Sequence, residues 1–101
     1  MLRHVVLFRW TPTTTDEDIA QVVDGLAALP AAIAVIRNYS FGRDVGINDG
    51  TFDFAVVGDF DTRDDYLAYR DHPRHRALID ERLARHIAER AAVQFDITPP
   101  A

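Results

Sequence analysis

Residues 3–10 read Arg3-His4-Val5-Val6-Leu7-Phe8-Arg9-Trp10, and the reading of this stretch decides the fold. In an extended chain His4, Val6, Phe8 and Trp10 share one side while Val5 and Leu7 take the other, the period of two that marks a strand. Both sides are substantially apolar. Residues 52–60 repeat the pattern, with Phe52, Phe54, Val56, Gly58 and Phe60 on one side and Ala55 and Val57 on the other. Two strands that are apolar on both faces belong in the centre of a sheet.

The flanking segments supply the rest of the order. Thr11-Pro12 ends the first strand, and Thr14 with Glu17 has capping-box spacing, which predicts a helix over about residues 15–29 that Pro30 stops. Ile19, Val22, Val23, Leu26 and Leu29 form its inward stripe, opposite Asp18 and Asp24. Residues 36–45 read as a weaker, more polar strand at a sheet edge, and Gly46-Ile47-Asn48-Asp49-Gly50 reverses the chain. Thr62 with Asp65 opens a short helix carrying Tyr66, Leu67 and Tyr69. His72-Pro73 breaks it, and Pro73 suits the first position of a further helix running to about Glu89, with His75, Ile79, Leu83, His86 and Ile87 inward. Residues 92–97 read as a fourth strand, and residues 98–101 as a tail after a domain over residues 1–97.

Strand-helix-strand occurs twice, each helix led by a threonine and an acidic first turn. The simplest interleaving is an α+β, ferredoxin-like βαββαβ arrangement: a four-stranded antiparallel sheet, strands one and three central, helices on one face. The other face would then expose an apolar patch of roughly several hundred Å², about the size that marks an interface. A homodimer packing sheet against sheet, a dimeric α+β barrel, is the expected solution.

Composition narrows the chemistry. The chain has 101 residues, no cysteine and a net charge of -5 from 11 basic and 16 acidic residues. That size suits one core, and that sign of charge disfavours nucleic acid as a partner. The opening residues lack a signal-peptide apolar run and no stretch is long enough for a membrane span, so a cytoplasmic protein is the expectation. Every basic residue is arginine and Ser40 is the only serine. Without lysine or cysteine there is no Schiff-base, Walker-lysine or thiolate chemistry, leaving histidine, tyrosine, carboxylates or a bound cofactor.

Placement then singles out a few residues. Strand four should run antiparallel beside strand one, which sets His4 across from the Asp96 region. Asp96 could orient His4 and fix one tautomer, or the two could merely tie the sheet end together. His75, in the first turn of its helix and aimed at the sheet, should be kept neutral by burial and by the helix N-terminus. It suits a general base, or it packs and bonds to backbone. The Tyr69 hydroxyl could serve an oxyanion, or be a satisfied core hydroxyl. His72 reads as a solvent-facing helix end. His86, ~16 Å further along the helix than His75, is read as structural. His72-x-x-His75 lacks a third ligand, so no metal is expected. Arg70, Arg74 and Arg76 read as a solvated face, and residues 42–50 fit no phosphate-loop pattern.

Taken together, the opening Arg3–Trp10 run, the Gly42-Arg43-Asp44 step, Asp53-Phe54-Ala55-Val56-Val57 with Asp59-Phe60, and above all Tyr69-Arg70-Asp71-His72-Pro73-Arg74-His75 resemble the stress-responsive A/B barrel (Dabb) domain family. The resemblance spans residues 3–97 and implies the dimeric α+β barrel. One member type of that family, the plant olivetolic acid cyclase, is a cofactor-free polyketide cyclase. Its strand-one histidine, its tyrosine before the helix break and its second histidine would correspond to His4, Tyr69 and His75. The fourth strand departs from that pattern, because Ala92 and Gln94 make a smaller and more polar wall than an alkyl pocket wants.

Two expectations follow. The first is a cofactor-independent acid-base enzyme, an aldol-type cyclase or an isomerase, acting on a small carbonyl compound. His75 would be its base, Tyr69 would hold the enolate, and His4 oriented by Asp96 would position or reprotonate. Val6, Phe8, Phe54, Val56, Tyr66 and Ile79 would line the substrate. The second is a non-catalytic stress-responsive dimer binding a small hydrophobic ligand, or one whose pocket is plugged by Phe8, Phe54 and Tyr66.

Overall fold

The alternating N-terminal stretch forms strand β1 (Leu2–Trp10) in a computed structural model that describes residues 1–99. It is followed by helix α1 (Asp16–Ala32), strands β2 (Asn38–Arg43) and β3 (Phe54–Phe60), helices α2 (Arg63–Asp71) and α3 (Pro73–Leu78), and strand β4 (Ile87–Asp96). The four strands pair antiparallel in the order β2-β3-β1-β4, so the two strands that are apolar on both sides are central, as expected. The architecture is ferredoxin-like α+β. Of the tail expected over residues 98–101, residues 100 and 101 lie outside the described residues.

Leu2, His4, Val6 and Phe8 of β1 and Phe54, Val56 and Phe60 of β3 are buried beneath the helices. Ile19, Val22, Leu26 and Leu29 of α1 meet them, at the spacing the sequence shows. Among the described residues no helix covers the opposite sheet face. Cross-strand pairing places Val5, Leu7, Val57 and Val93 on it, with Phe95 next to Arg3. Val93 is 55% and Phe95 45% exposed there. The same face carries a forked ion pair, Arg3 Nε to Asp59 Oδ1 at 2.8 Å and Arg3 Nη2 to Asp59 Oδ2 at 3.0 Å.

Four expectations need correction. The first helix is capped by Thr15, whose hydroxyl accepts from Asp18 N while the Asp18 carboxylate accepts from Thr15 N, a capping box one residue later than Thr14 and Glu17. Thr14 is otherwise engaged, its hydroxyl 2.8 Å from that of Thr11 and 3.3 Å from His86 Nδ1. Pro30 lies inside the last turn of α1 and does not end it, because the turn is closed by Ile33 N–H donating to Leu29 O at 2.9 Å. The edge strand and β3 are shorter than read, spanning residues 38–43 and 54–60.

The largest difference concerns residues 79–91. The helix that starts at Pro73 does not continue to Glu89: it widens into a π-type turn (Ile79–Leu83), tightens into a 3-10 turn (Ala84–His86), and gives way to β4 at Ile87. Helical periodicity was present through His86, but β1 offers ladder partners along its whole length and β4 takes them from Trp10–Ile87 to Leu2–Asp96. Backbone hydrogen bonding to a neighbouring strand overrides local preference here.

Candidate active site

Helix α2 starts at Thr62, whose hydroxyl accepts from Asp65 N as the sequence predicts. His72 closes α2 and opens α3, its backbone N–H donating to Tyr69 O and its Nδ1 accepting from Arg74 N at 3.1 Å. That junction sets the Tyr69 and His75 rings against each other, centroids 4.2 Å apart and planes tilted by 34°. His4 rises from the sheet beneath them and packs against Tyr66, ring centroids 4.9 Å apart and planes tilted by 43°. His4, Tyr69 and His75 all line one cavity of about 490 Å³ between the helices and the sheet. Val6, Phe8, Val56, Tyr66 and Ile79 line it as well.

Two predicted site residues lie elsewhere. Phe54 is fully buried against Trp10, ring centroids 5.4 Å apart, and forms core, not lining. Asp96 pairs with Leu2 at the sheet end and does not reach His4. The residue across from His4 is Gln94, whose Nε2 sits 2.7 Å from His4 Nδ1. The orienting group is therefore an amide two residues before the expected carboxylate. Phe8 and Tyr66 act as walls; an open space remains beside His75 where the plugged alternative requires continuous packing.

The hydrogen bonds assign the tautomers. His75 Nδ1 is 2.9 Å from Arg70 O, and a carbonyl can only accept, so the proton of neutral His75 resides on Nδ1 and Nε2 keeps its lone pair. The amide of Gln94 donates to His4 Nδ1, which puts the proton of neutral His4 on Nε2. One ring thus offers an acceptor and the other a donor. Both stay neutral at pH 7. Burial lowers His4 to a pKa of about 4, with Arg90 and His75 adding to the effect. Burial also lowers His75, partly opposed by its bond to Arg70 O.

Tyr39, which the sequence reading passed over, completes the group. Its hydroxyl is 2.7 Å from that of Tyr69, and burial holds Tyr69 up at about 12 and Tyr39 higher still. Its position was legible in principle, because Tyr39 and Phe41 alternate with Asn38 and Ser40 along β2. Gly58 lies across from both His4 and Tyr39, and a Cβ there would come within 3.3 Å of the Tyr39 ring. Arg70, Arg76 and Arg90 also border the cavity, against the expectation that the first two form only a solvated face. His86 is outside it, beside Thr14 and Asp18, in the structural role read for it. Among the described residues no cluster of three or more metal-ligating side chains occurs. No helix among them is long and apolar enough to cross a membrane.

Comparison with known proteins places this arrangement. The profile of the stress-responsive A/B barrel domain, Dabb, matches residues 2–97. The chain belongs to the Dabb family. Among solved structures, a dimeric ferredoxin-like protein of unknown function from Thermobifida fusca is similar at 48% identity, with 95% of this chain and 90% of that one covered and a TM-score of 0.89. A dimeric protein of unknown function and ferredoxin-like fold from Bacteroides fragilis shares 32% identity over 95% of each chain, with a TM-score of 0.81. The hydroxynitrile lyase from Passiflora edulis shares the fold, at 17% identity over 99% of this chain and 95% of that one, TM-score 0.83. No curated protein matches the sequence. Dabb membership agrees with the resemblance carried by the Tyr69–His75 segment and by the strand-one histidine.

Proposed function

We propose that this Dabb chain is a cofactor-independent acid-base enzyme acting on a small, partly apolar carbonyl compound, an aldol-type cyclase or an isomerase. The observation that carries the reading is the meeting of His75, His4 and Tyr69 around one open cavity of about 490 Å³. His75 Nε2 removes a proton from the carbon next to the carbonyl, and the C–H electron pair moves into a C=C bond while the carbonyl π electrons move to oxygen. Tyr69 donates a hydrogen bond to that oxyanion. When Tyr39 donates to the Tyr69 oxygen, the Tyr69 proton is left free for the substrate. His4 Nε2–H, held by Gln94, is the second donor. The enolate then attacks a second carbonyl, as in a cyclase, or takes its proton back at another position, as in an isomerase. Apolar walls from Val6, Phe8 and Val56 exclude water and strengthen these hydrogen bonds.

The working form we infer is a homodimer. The bare sheet face with Val5, Leu7, Val57, Val93 and Phe95 is apolar at its centre, and the similar proteins from T. fusca and B. fragilis are described as dimeric. Such packing leaves the cavity on the opposite, helix-covered side of each sheet.

The decisive experiment replaces the base. His75→Ala should lower turnover of a β-polycarbonyl or enolisable ketone substrate by roughly 10²–10⁴-fold, with the particle mass by light scattering unchanged. Undiminished turnover in that variant removes His75 from the mechanism.

A further inference from the structure

The protein carries a net charge of -5, yet the border of its main cavity is cationic. The arginines sort by what they touch. Arg3, Arg9, Arg37, Arg43 and Arg70 each pair with a carboxylate. Arg82 and Arg85 donate to backbone carbonyls, Gln21 O and Glu81 O. Among the described residues the side chains of Arg63, Arg74, Arg76 and Arg90 have neither kind of partner, and of these four Arg76 and Arg90 line the cavity that holds His4, Tyr69 and His75. They come from different elements, Arg76 from α3 and Arg90 from β4, where it sits across from Phe8.

Arg76 and Arg90 are exposed residues while the floor residues Val6, Phe8 and Val56 are buried, which sets the two arginines at the mouth and the apolar surface within. They act on the site already: Arg90 disfavours protonation of His4, and Arg76 that of His75. Arg70 borders the same mouth but is neutralised by a forked bond to Asp71, 2.9 Å and 3.1 Å. What remains is a pair of fork-shaped donors without an anion, above an apolar pocket. A carboxylate matches such donors in charge and geometry.

We propose that the ligand of this cavity is a carboxylate with an apolar body, its anionic end held at the mouth by Arg76 and Arg90 and its body on the Val6, Phe8 and Val56 floor. The proposal rests on the cavity being the ligand site and does not require that the site be catalytic. It adds a linkage: an anion beside the arginines offsets their effect, so a bound carboxylate raises the pKa of both histidines.

The test titrates the full-length protein with hexanoate and with hexanamide, its uncharged isostere, by calorimetry and by NMR of the imidazole resonances. Hexanoate should bind about tenfold more tightly than hexanamide at low salt, and the difference should shrink at about 0.5 M salt. Arg76→Gln and Arg90→Gln should each weaken hexanoate several-fold and leave hexanamide unchanged, whereas Arg63→Gln, outside this cavity, should change neither. The His4 and His75 resonances should titrate at higher pH in the hexanoate complex. Equal affinity for the two probes, no hexanoate binding up to about 100 mM, or insensitivity to both cavity arginines overturns the carboxylate assignment. None of those results touches the acid-base reading, which stands or falls with His75→Ala.

Discussion

At the scale of the residue, the site depends on which nitrogen of each histidine carries a proton. Arg70 O and the Gln94 amide decide this oppositely for His75 and His4, so two chemically identical side chains are set up as acceptor and donor. The histidines and Tyr69 were legible in sequence because strand alternation and the His72-Pro73 break fix their side of the chain. Gln94 was not, because a shift of two positions in an antiparallel ladder keeps the same face and leaves alternation unable to distinguish it from Asp96. Burial of His4 has a measurable consequence. Its folded pKa, about 4, lies below the unfolded value of 6.5, so the unfolded chain takes up the proton first. Stability from this group is therefore constant above pH 6.5 and falls as the pH drops from 6.5 towards 4. The loss should be roughly 2 kcal/mol after allowing for partial solvent access. Urea midpoints measured across that range should show it, and His4→Gln should flatten the slope; an unchanged slope would mean that other groups dominate.

Among the elements, the α2–α3 junction matters most to the site. His72 contributes no atom to the cavity, yet it ends one helix and caps the next, and that break brings the Tyr69 and His75 rings together. His72→Ala removes the side-chain acceptor for Arg74 N–H and should cost about 1 kcal/mol of stability. It should also lower turnover with little change in its pH profile, since no titrating group of the site is removed. His72→Asn, which can still cap, should recover most of both losses; failure of that rescue would assign His72 a role other than capping. The segment after α3 shows the limit of local reading. Ile79, Leu83 and Ile87 have helical spacing, and all three line the cavity, but they do so across a π-type turn, a 3-10 turn and the start of a strand. A widened turn re-aims side chains, which is why such turns recur beside functional sites.

For the whole molecule, the unequal cover of the two sheet faces is decisive. Helices bury one face; the other keeps Val93 and Phe95 about half exposed beside Val5 and Leu7. In a sheet-to-sheet dimer a charge at the centre of that patch would be desolvated without a partner. Val93→Asp should therefore convert a particle of twice 11.4 kDa into one of 11.4 kDa in light scattering, without altering the fold seen by circular dichroism. A wild-type protein that already scatters as 11.4 kDa would remove the dimer from this account.

What the chain determined by itself were the features that depend on near neighbours. These are the two strands apolar on both sides, the threonine-led acidic helix starts, the stop at His72-Pro73, and with them the order of elements and the sheet's central pair. Each arises from backbone periodicity or a side chain bonding three residues away, interactions complete within a turn or two. Only the tertiary structure decided where β4 begins, that Gln94 and not Asp96 meets His4, that Tyr39 joins Tyr69, and that Arg76 and Arg90 meet at one cavity. Those contacts span up to 90 residues of sequence, and they are fixed by ladder register and packing, which no local pattern encodes.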